Sequence, residues 1–311
     1  MTITITHATD TPVLLLVFNR PTETAQLIEK LRVVKPTKIY IAADGPRENN
    51  SVDLTKTAQV RDLLKTIDWD CQIDTLYRRH NLGCRLAVSE AITWFFEKED
   101  HGIILEDDCI PSTSFFDFSC KMLNQYKNDT RMWMISGFNP ITTDTNNDYF
   151  YSKNPSVWGW ATWRDRWNHY DVHLKSWPDH DFIADFTYEV PGYVIDYYRD
   201  SFDRTADGTI DTWDYQWTYV ILKNNGLVIK PRCNMVSNIG AAGHHAVATN
   251  AKIDANLFLP TFDLDISSGH GYKGPENIMP NQRIDYKFYQ TRLKKLSILK
   301  RCKSFFIRLI K

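Results

Sequence analysis

The sequence predicts an α/β protein with a mostly parallel sheet flanked by helices. Three observations indicate this fold class. Apolar, strand-like runs alternate with helix-like segments through the first half of the 311 residues. The apolar runs are continuous, as in strands covered on both faces, and no internal repeat or low-complexity linker divides the chain. This spacing of strand, helix and strand implies right-handed crossovers between parallel strands.

The first elements show the pattern most clearly. The run "PVLLLVFN" at 12–19 predicts a buried strand. The segment 22–34 then places Ala25, Ile28 and Leu31 at helical intervals. The same reasoning predicts further strands at 38–44, 71–77, 102–108, 132–138 and 226–231, and helices at 55–67, 84–99 and 112–126.

The second half differs in composition. From about residue 140, Trp, Tyr, Asp and Asn become dense, in stretches such as "VWGWATWRDRW" and "TWDYQW". We expect one continuous domain over 1–285, with an aromatic-rich half at 139–285 packed on the sheet of 12–138. The tail at 286–311 contains basic and apolar residues and no acidic ones, which is typical either of binding to an anionic membrane surface or of a terminal helix packed on its own domain.

Composition excludes several classes of protein. The formal net charge of −1 argues against a generic polyanion or nucleic-acid binder. The 6 cysteines form no CxxC pair, as expected of buried thiols in a reducing cytosol. The N-terminus lacks the pattern of a secretory signal, and no apolar stretch approaches the ~20 residues of a membrane-spanning helix. P-loop and GxGxxG signatures are also missing. We therefore expect a cytoplasmic protein.

Polar side chains follow three of the predicted strands. Ligands of open parallel sheets bind beyond the carboxyl ends of the strands, so these side chains should share one rim. They are Asn19 and Arg20, Asp44, and the run Glu106, Asp107 and Asp108.

The run "EDD" predicts a site for a hard divalent cation. Carboxylate oxygens suit Mg2+ or Mn2+, and such ions take one or two carboxylates together with substrate phosphates. Strand alternation should send Glu106 and Asp108 to one face and Asp107 to the other. The alternative, a solvated acidic turn, is disfavoured by the preceding apolar "GIIL".

The other two strand ends offer groups for a nucleotide. Arg20 can contact a phosphate or a base through its planar guanidinium, although an Arg before a helix is common. Asp44 can accept from a ribose or a base N–H, or it can form a simple Asp-Gly turn.

Two further acidic residues lie in "TIDTWDYQW". Asp211 and Asp214 lie beside tryptophans, and a partly desolvated carboxylate of this kind has a pKa raised toward that of a usable general base. The alternative is that they cap a helix that begins near residue 213. His244 and His245, in a Gly-rich segment, could reach a diphosphate or the metal, or could be structural.

A series of motifs resembles the nucleotide-sugar glycosyltransferases of GT-A fold. They are, in order, "LLVFNRP", "IAADGP", "NLGCRLAVSEAI", "GIILEDDCIPSTSFFDF", "VWGWATW", "TWDYQW" and "VIKPRCNMVSNIGAAGHH". The chain looks most like a bacterial relative of N-acetylglucosaminyltransferase I, in the wider family 2-like group. The similarity covers roughly residues 12 to 250.

The resemblance implies roles for individual residues. "EDD" matches a variant of the DXD motif, in which Asp108 would bind the metal, Asp107 would contact the nucleotide and Glu106 would lie near the donor sugar or acceptor. Asp214 matches the catalytic base. The chain departs from the family in "WDYQW", where a second acidic residue is missing, so Asp211 remains a rival for this role. Residues expected to hold the nucleotide sugar are Phe18, Asn19, Arg20, Asp44 and Arg85.

The resemblance also implies a reaction and its partners. We expect an inverting transfer from a nucleotide sugar, such as a UDP-sugar, with Mn2+ or Mg2+ as cofactor. The acceptor would be a glycan or a lipid-linked sugar in polysaccharide or lipopolysaccharide assembly, with 286–311 near the inner membrane face. Trp158 and Trp160 are candidate walls of the acceptor site, although core packing would explain them equally well.

Two other functions remain open at this point. A sugar-1-phosphate nucleotidyltransferase has a similar sheet and needs Mg2+, but "VFNRPTE" lacks the Gly-rich, basic signature expected near the first strand. A non-catalytic domain that binds a nucleotide or carbohydrate is the third possibility, and the intact "EDD" and Asp214 argue against it.

Overall fold

The computed structural model describes residues 10–141, 143–240, 259–264 and 271–294, which are organised around one eight-stranded sheet. Its strands are β1 (Val13–Val17), β2 (Lys38–Ala43), β3 (Gln72–Tyr77), β4 (His101–Glu106), β6 (Met132–Ser136), β7 (Tyr149–Ser152), β8 (Trp160–Trp163) and β9 (Leu227–Pro231), in the order β3-β2-β1-β4-β8-β6-β9-β7. A separate antiparallel pair joins β5 (Cys109–Pro111) to β10 (Val236–Asn238).

Helices flank this sheet. They are α1 (Pro21–Val34), α2 (Ser51–Leu64), α3 (Gly83–Phe96), α4 (Thr113–Tyr126), α5 (Arg164–Trp167), α6 (Gly192–Ala206), α7 (Asp214–Lys223) and α8 (Gln282–Phe288). A 3-10 turn at Phe182–Asp185 and a π-helix at Tyr289–Leu293 complete the described elements. The predicted α/β class, with helices flanking the sheet, is confirmed.

The first half has the regular geometry that the sequence predicts. β1 pairs in parallel with β2 on one side and with β4 on the other, and β2 pairs in parallel with β3. Every residue of β1 is buried because α1, α2 and α4 pack on one face of the sheet and α3 and α7 on the other. This double cover explains the continuous apolar run, since neither face of the strand meets water.

The second half adds antiparallel pairs to this mostly parallel sheet. β8 lies between β4 and β6 and runs antiparallel to both, and β7 runs antiparallel to β9. The strands that precede residue 138 in the chain and those that follow it therefore belong to one continuous sheet. The insertion of β8 could not be read from the sequence, because "WATW" is too short and too aromatic to show strand alternation.

The aromatic residues of the second half mostly fill the core. Trp160, Trp167, Trp213 and Trp217 pack together against α3, with ring centroids 5.1 to 6.2 Å apart. A separate cluster joins α6 and α7 to the π-helix. Core filling is therefore what most of this aromatic content does.

The start of the basic tail belongs to that second cluster. Tyr289 and Leu293 are buried there, so the described residues 286–294 pack on the domain. The membrane prediction concerns the whole of 286–311, and its residues 295–311 lie outside the described residues. Within the described ranges, no helix is long and apolar enough to cross a membrane.

Candidate functional site

A cleft of about 620 Å³ opens at the carboxyl ends of β1, β2 and β4. Three parallel neighbours end there, so the polar residues that follow them meet on one rim, as the sequence predicts. Of the predicted site residues, Phe18, Asn19, Arg20, Asp44, Glu106, Asp107 and Asp211 line the cleft. Further lining residues that matter for its charge are Glu23, Arg47, Lys56 and Arg78.

Arg20 forms ion pairs with two carboxylates of the acidic cluster. Its Nη1 lies 2.7 Å from Asp107 Oδ1 and 2.8 Å from Asp108 Oδ2. The prediction that strand alternation separates Asp107 from Asp108 is wrong. β4 ends at Glu106, so the next two residues lie in a turn and both carboxylates meet the same guanidinium nitrogen.

Burial and mutual repulsion disfavour the charged forms of the cluster. Burial, with the Asp108 and Asp107 carboxylates adding to it, raises the pKa of Glu106 to about 8. Burial also raises the pKa of Asp107 to about 6, although Arg20 opposes this shift. Burial also disfavours the charged form of Arg20. The attraction of Asp107 and Asp108 outweighs this effect of burial, so the pKa of the guanidinium is raised. The cluster thus needs a cation close by.

Residues from a distant part of the chain hold Asp108 in place through hydrogen bonds. Its Oδ1 accepts from Asn238 Nδ2 at 3.1 Å and from the Cys109 thiol at 3.6 Å. Its backbone carbonyl accepts from the N–H of Ile239 at 2.8 Å, which continues the pairing of β5 with β10. Gly240 packs so closely that a Cβ there would lie 2.0 Å from Asp108 Oδ2, so any other residue at this position would force the Asp108 side chain to shift.

A second network anchors the end of β1 to α2. Asn19 Nδ2 donates to Asp53 Oδ1 at 2.7 Å, and Arg47 donates to both Asp53 oxygens. These hydrogen bonds lower the pKa of the Asp53 carboxyl to about 2, and the bond from Arg47 has the largest effect. The Arg47 guanidinium also lies 5.7 Å from the centroid of the Phe18 ring. Asn19 therefore positions this rim through Asp53.

Asp44 joins the end of β2 to the start of α3. Its oxygens accept from Gly45 N–H at 2.8 Å, from Asn81 Nδ2 at 2.8 Å and from Leu82 N–H at 3.1 Å. Burial raises the pKa of this carboxyl, against the effect of the Leu82 and Gly45 N–H groups. Asp44 reaches the cleft, and its hydrogen bonds within the protein support the loop before α3.

Asp211 lies at the N-terminus of α3. Its Oδ2 accepts from Cys84 N–H at 3.1 Å, and a Cβ at Gly83, whose φ is +78°, would lie 2.7 Å from that oxygen. Arg85 is not among the residues that line the cleft. It donates to the Ile210 carbonyl at 2.8 Å and to the Thr205 carbonyl at 3.3 Å, so it holds the segment before α7 against α3.

Asp214 is the first residue of α7, so a helix begins near residue 213 as expected, but Trp213 and not Asp214 occupies its N-cap position. Thr212 Oγ1 donates to its Oδ1. Asp214 lies close enough to the cleft-lining Glu106 and Cys84 to help raise the pKa of both, after the larger effect of burial. An anionic side chain in the first turn of a helix is stabilised by the helix dipole.

The two predicted acceptor walls do not line the cleft. Trp160 is 0% exposed and stacks on Trp213 at 5.6 Å, so the prediction that it forms a wall is wrong, because its ring lies in the core. Trp158 is half-buried between Phe138, at 4.5 Å, and the Arg292 guanidinium, at 5.7 Å. The other candidates, His244 and His245, lie outside the described residues.

The residues present fit a divalent cation only in part. No group of three or more His, Cys, Asp and Glu side chains able to hold a metal occurs among the residues that the structure describes. However, one oxygen of Asp107 and one of Asp108 already converge on a cationic nitrogen. Two hard oxygen donors of this kind, completed by phosphate oxygens, suit Mg2+ or Mn2+.

Several cleft residues escaped the sequence analysis. Arg78 directly follows β3, so the rule applied to the other strand ends would have found it. Arg47 lies in the loop before α2 and Lys56 within α2, where sequence offers no signal for either. Asn238 is separated from Asp108 by 130 positions, and only the fold brings them together.

Comparisons with known proteins give only weak similarities. No protein-family model and no curated protein matches the chain. HddC from Yersinia pseudotuberculosis complexed with GMP-PN is 10% identical and aligns over 57% of this chain and 87% of its own, with a TM-score of 0.31. A putative glucose-1-phosphate thymidylyltransferase from Bacillus anthracis, in complex with a sucrose, is 11% identical over 79% and 98% of the two chains, with a TM-score of 0.37.

A third solved structure is the inositol-1-phosphate CTP transferase from T. maritima, 7% identical over 72% of this chain and 85% of its own, with a TM-score of 0.34. Similarity at this level carries no argument about function. The resemblance to GT-A glycosyltransferases stays a prediction, and the case for a function depends on the geometry of the cleft.

Proposed function

We propose that this chain is a metal-dependent glycosyltransferase of GT-A type. It would transfer a sugar from a nucleotide diphosphate sugar to a hydroxyl of a glycan or lipid-linked acceptor. The observation that carries the proposal is the composition of one cleft. At the carboxyl ends of parallel strands it combines Asp107, from the buried acidic pair, with basic side chains, and Asp108 and Asp214 lie beside it.

The donor side of the proposal depends on size and charge. A cleft of about 620 Å³ falls in the range that holds a ligand as large as a nucleotide sugar. Arg20, Arg47, Lys56 and Arg78 line it and suit the negative charge of a diphosphate. A bound Mg2+ or Mn2+ would be held by Asp108 and Asp107 and would neutralise charge on the departing nucleoside diphosphate.

The transfer itself needs one base. In the proposed reaction, Asp214 accepts the proton of the acceptor hydroxyl as its oxygen forms a bond to the anomeric carbon. The bond from that carbon to the diphosphate oxygen breaks, and the electron pair leaves with the nucleoside diphosphate. Attack from the face opposite the leaving group inverts the configuration, by the logic of inverting glycosidases. Asp211 is the rival base, but it hydrogen-bonds the N-terminus of α3.

The proposed context is the assembly of surface polysaccharide or lipopolysaccharide at the inner membrane face, which the basic residues of the tail support. Tyr289 and Leu293 belong to the core, so a test must leave them in place. Full-length protein and a chain that ends at Lys294 should differ in flotation with anionic vesicles. Equal partition of the two would contradict membrane binding by the tail.

The central experiment is a panel of nucleotide sugars, screened by calorimetry with Mn2+ present, followed by a turnover assay on the donor that binds. The proposal requires a nucleotide sugar to bind and be hydrolysed or transferred, with an inverted anomer by NMR. Release of pyrophosphate from a nucleoside triphosphate and a sugar 1-phosphate would instead identify a nucleotidyltransferase. Binding with no turnover in either assay would indicate a non-catalytic domain.

A further inference from the structure

We propose that Arg20 and a divalent cation compete for one position between Asp107 and Asp108. The donor diphosphate favours the cation in this competition, because it binds the displaced guanidinium. This inference rests on the proposed function, from which it takes the metal and the diphosphate. It assigns to Arg20 a positioning role that couples metal binding to donor binding.

The first argument is that, among the residues that the structure describes, one oxygen of each carboxylate in the acidic pair has Arg20 as its polar partner, while the other oxygen accepts a hydrogen bond elsewhere. Asp107 Oδ2 accepts from the N–H of Phe18 at 3.1 Å. Asp108 Oδ1 accepts from Asn238 Nδ2 at 3.1 Å. The remaining oxygens are Asp107 Oδ1 and Asp108 Oδ2, and these are the two that contact Arg20.

The second argument is that both oxygens converge on one atom. Arg20 Nη1 lies 2.7 Å from Asp107 Oδ1 and 2.8 Å from Asp108 Oδ2. Oxygen ligands of Mg2+ lie at about 2.1 Å, so each carboxylate oxygen would move by less than about 1 Å to bind an ion at the place of that nitrogen. A guanidinium nitrogen and a metal ion cannot both occupy this place.

The third argument is that the pair needs a cation when both of its carboxylates are charged. The side chains of Asp107 and Asp108 are only 4% and 7% exposed, whereas that of Arg20 is 26% exposed. Two carboxylates withdrawn from water repel each other strongly unless a positive charge lies between them. The position is therefore held by Arg20 or by a metal ion, and departure of one favours arrival of the other.

The fourth argument concerns where the Arg20 guanidinium would lie after a cation has displaced it. Arg20 and Asp107 line the cleft, whereas Asp108 does not line it but contacts Arg20. Turned outward, Arg20 would join Arg47, Lys56 and Arg78, which already line the cleft. Repulsion among these cations opposes the turn, and a diphosphate removes that repulsion by charge-assisted hydrogen bonds. Metal and nucleotide should accordingly bind with positive cooperativity.

The experiment measures Mn2+ affinity by the EPR signal of the free ion, with and without UDP as the probe. Arg20→Met should bind Mn2+ alone about tenfold more tightly than the wild type, and UDP should increase the Mn2+ affinity of this variant far less. Arg47→Met is the matched control, because Arg47 lines the same cleft but pairs with Asp53. Its affinity for Mn2+ alone should equal that of the wild type.

Arg20→Lys keeps the positive charge, so it keeps the test valid if Arg20→Met does not fold correctly. Thermal unfolding confirms that each variant is folded. Arg20→Lys should bind Mn2+ alone as the wild type does, because a cation still competes. Asp108→Ala should lose the Mn2+ site, which assigns the signal to the acidic pair. An Arg20→Met affinity equal to or weaker than that of the wild type overturns the competition, even if nucleotide sugars bind and turn over.

Absence of Mn2+ binding in every variant overturns the inference as well. Tighter Mn2+ binding by Arg20→Met, together with loss of UDP cooperativity, supports the inference even if no nucleotide sugar is turned over. The failure of the inference and the failure of the proposed function are thus distinguishable.

Discussion

The acidic run at the end of β4 and Asp211, which precedes α7, place the same chemical group in opposite environments. The side chains of Asp107 and Asp108 are 4% and 7% exposed and share one guanidinium, whereas that of Asp211 is 59% exposed. Buried carboxylates depend on a cation and are suited to hold one. Carboxylates at an accessible helix start can exchange protons with a substrate or with water.

The comparison teaches that position along the chain does not assign a role to a carboxylate. Asp211 and Asp214 are close in sequence, yet Asp211 bonds the start of α3 while Asp214 begins α7. Asp107 and Asp108, expected on opposite faces, meet the same nitrogen. Substitutions at four positions test this contrast.

The largest effect should come from Asp214→Asn. Loss of a general base lowers turnover by about 10²- to 10⁴-fold, and donor binding should be retained because Asp214 does not line the cleft. Steady-state kinetics and calorimetry on the donor found in the panel measure the two quantities. Asp211→Asn is the matched control, and a larger loss of turnover in that variant would reverse the assignment.

The next effect is on stability and its dependence on pH. The folded protein raises the pKa of Glu106 from 4.5 to about 8, so it favours the neutral form. This stabilisation is fully present below pH 4.5 and is lost as the pH rises through about 8. Glu106→Gln stays neutral, so at pH 9 it should exceed the wild type in free energy of unfolding by roughly 2–4 kcal/mol.

Urea denaturation of wild type and Glu106→Gln at pH 4 and pH 9 measures this difference. The two proteins should be close in stability at pH 4. Asp211→Asn should show no comparable gain at pH 9, because the Asp211 side chain meets water. A wild type as stable as Glu106→Gln at pH 9 would mean that the cluster accommodates the third charge without cost.

A smaller loss should follow Asn238→Ala. The substitution removes the amide donor from a buried oxygen of Asp108, and a buried acceptor that loses a partner costs roughly 1–3 kcal/mol of unfolding free energy. Asn124→Ala is the control, because the exposed Asn124 side chain donates to a carbonyl one turn earlier in α4. Equal losses in the two variants would show that Asn238 contributes nothing specific to the cluster.

The smallest effect should come from Asp211→Ala. Its hydrogen bond to Cys84 N–H resembles a helix cap at an exposed position, so its loss should lower the free energy of unfolding by about 0.5–1 kcal/mol. Urea denaturation measures the change. A loss as large as that of Asn238→Ala would contradict the view that exposure decides how much each carboxylate contributes.

Much of the fold was predictable from local patterns. The continuous apolar runs gave β1, β2 and β4 to within two residues, because a strand covered on both faces needs apolar side chains at every position. β7 and β8 were missed, since their short aromatic segments show no alternation. α6 was missed as well, because Tyr and Asp obscure its helical periodicity.

The rim of the site follows from local patterns alone. Parallel strands point the same way, so residues that follow β1, β2 and β4 must meet at one edge. The partners of each carboxylate on that rim depend on long-range contacts. Arg20 reaches Asp107 across 87 positions, Cys84 reaches Asp211 across 127, and Asn238 reaches Asp108 across 130. Such contacts depend on how the whole chain closes, which no local pattern encodes.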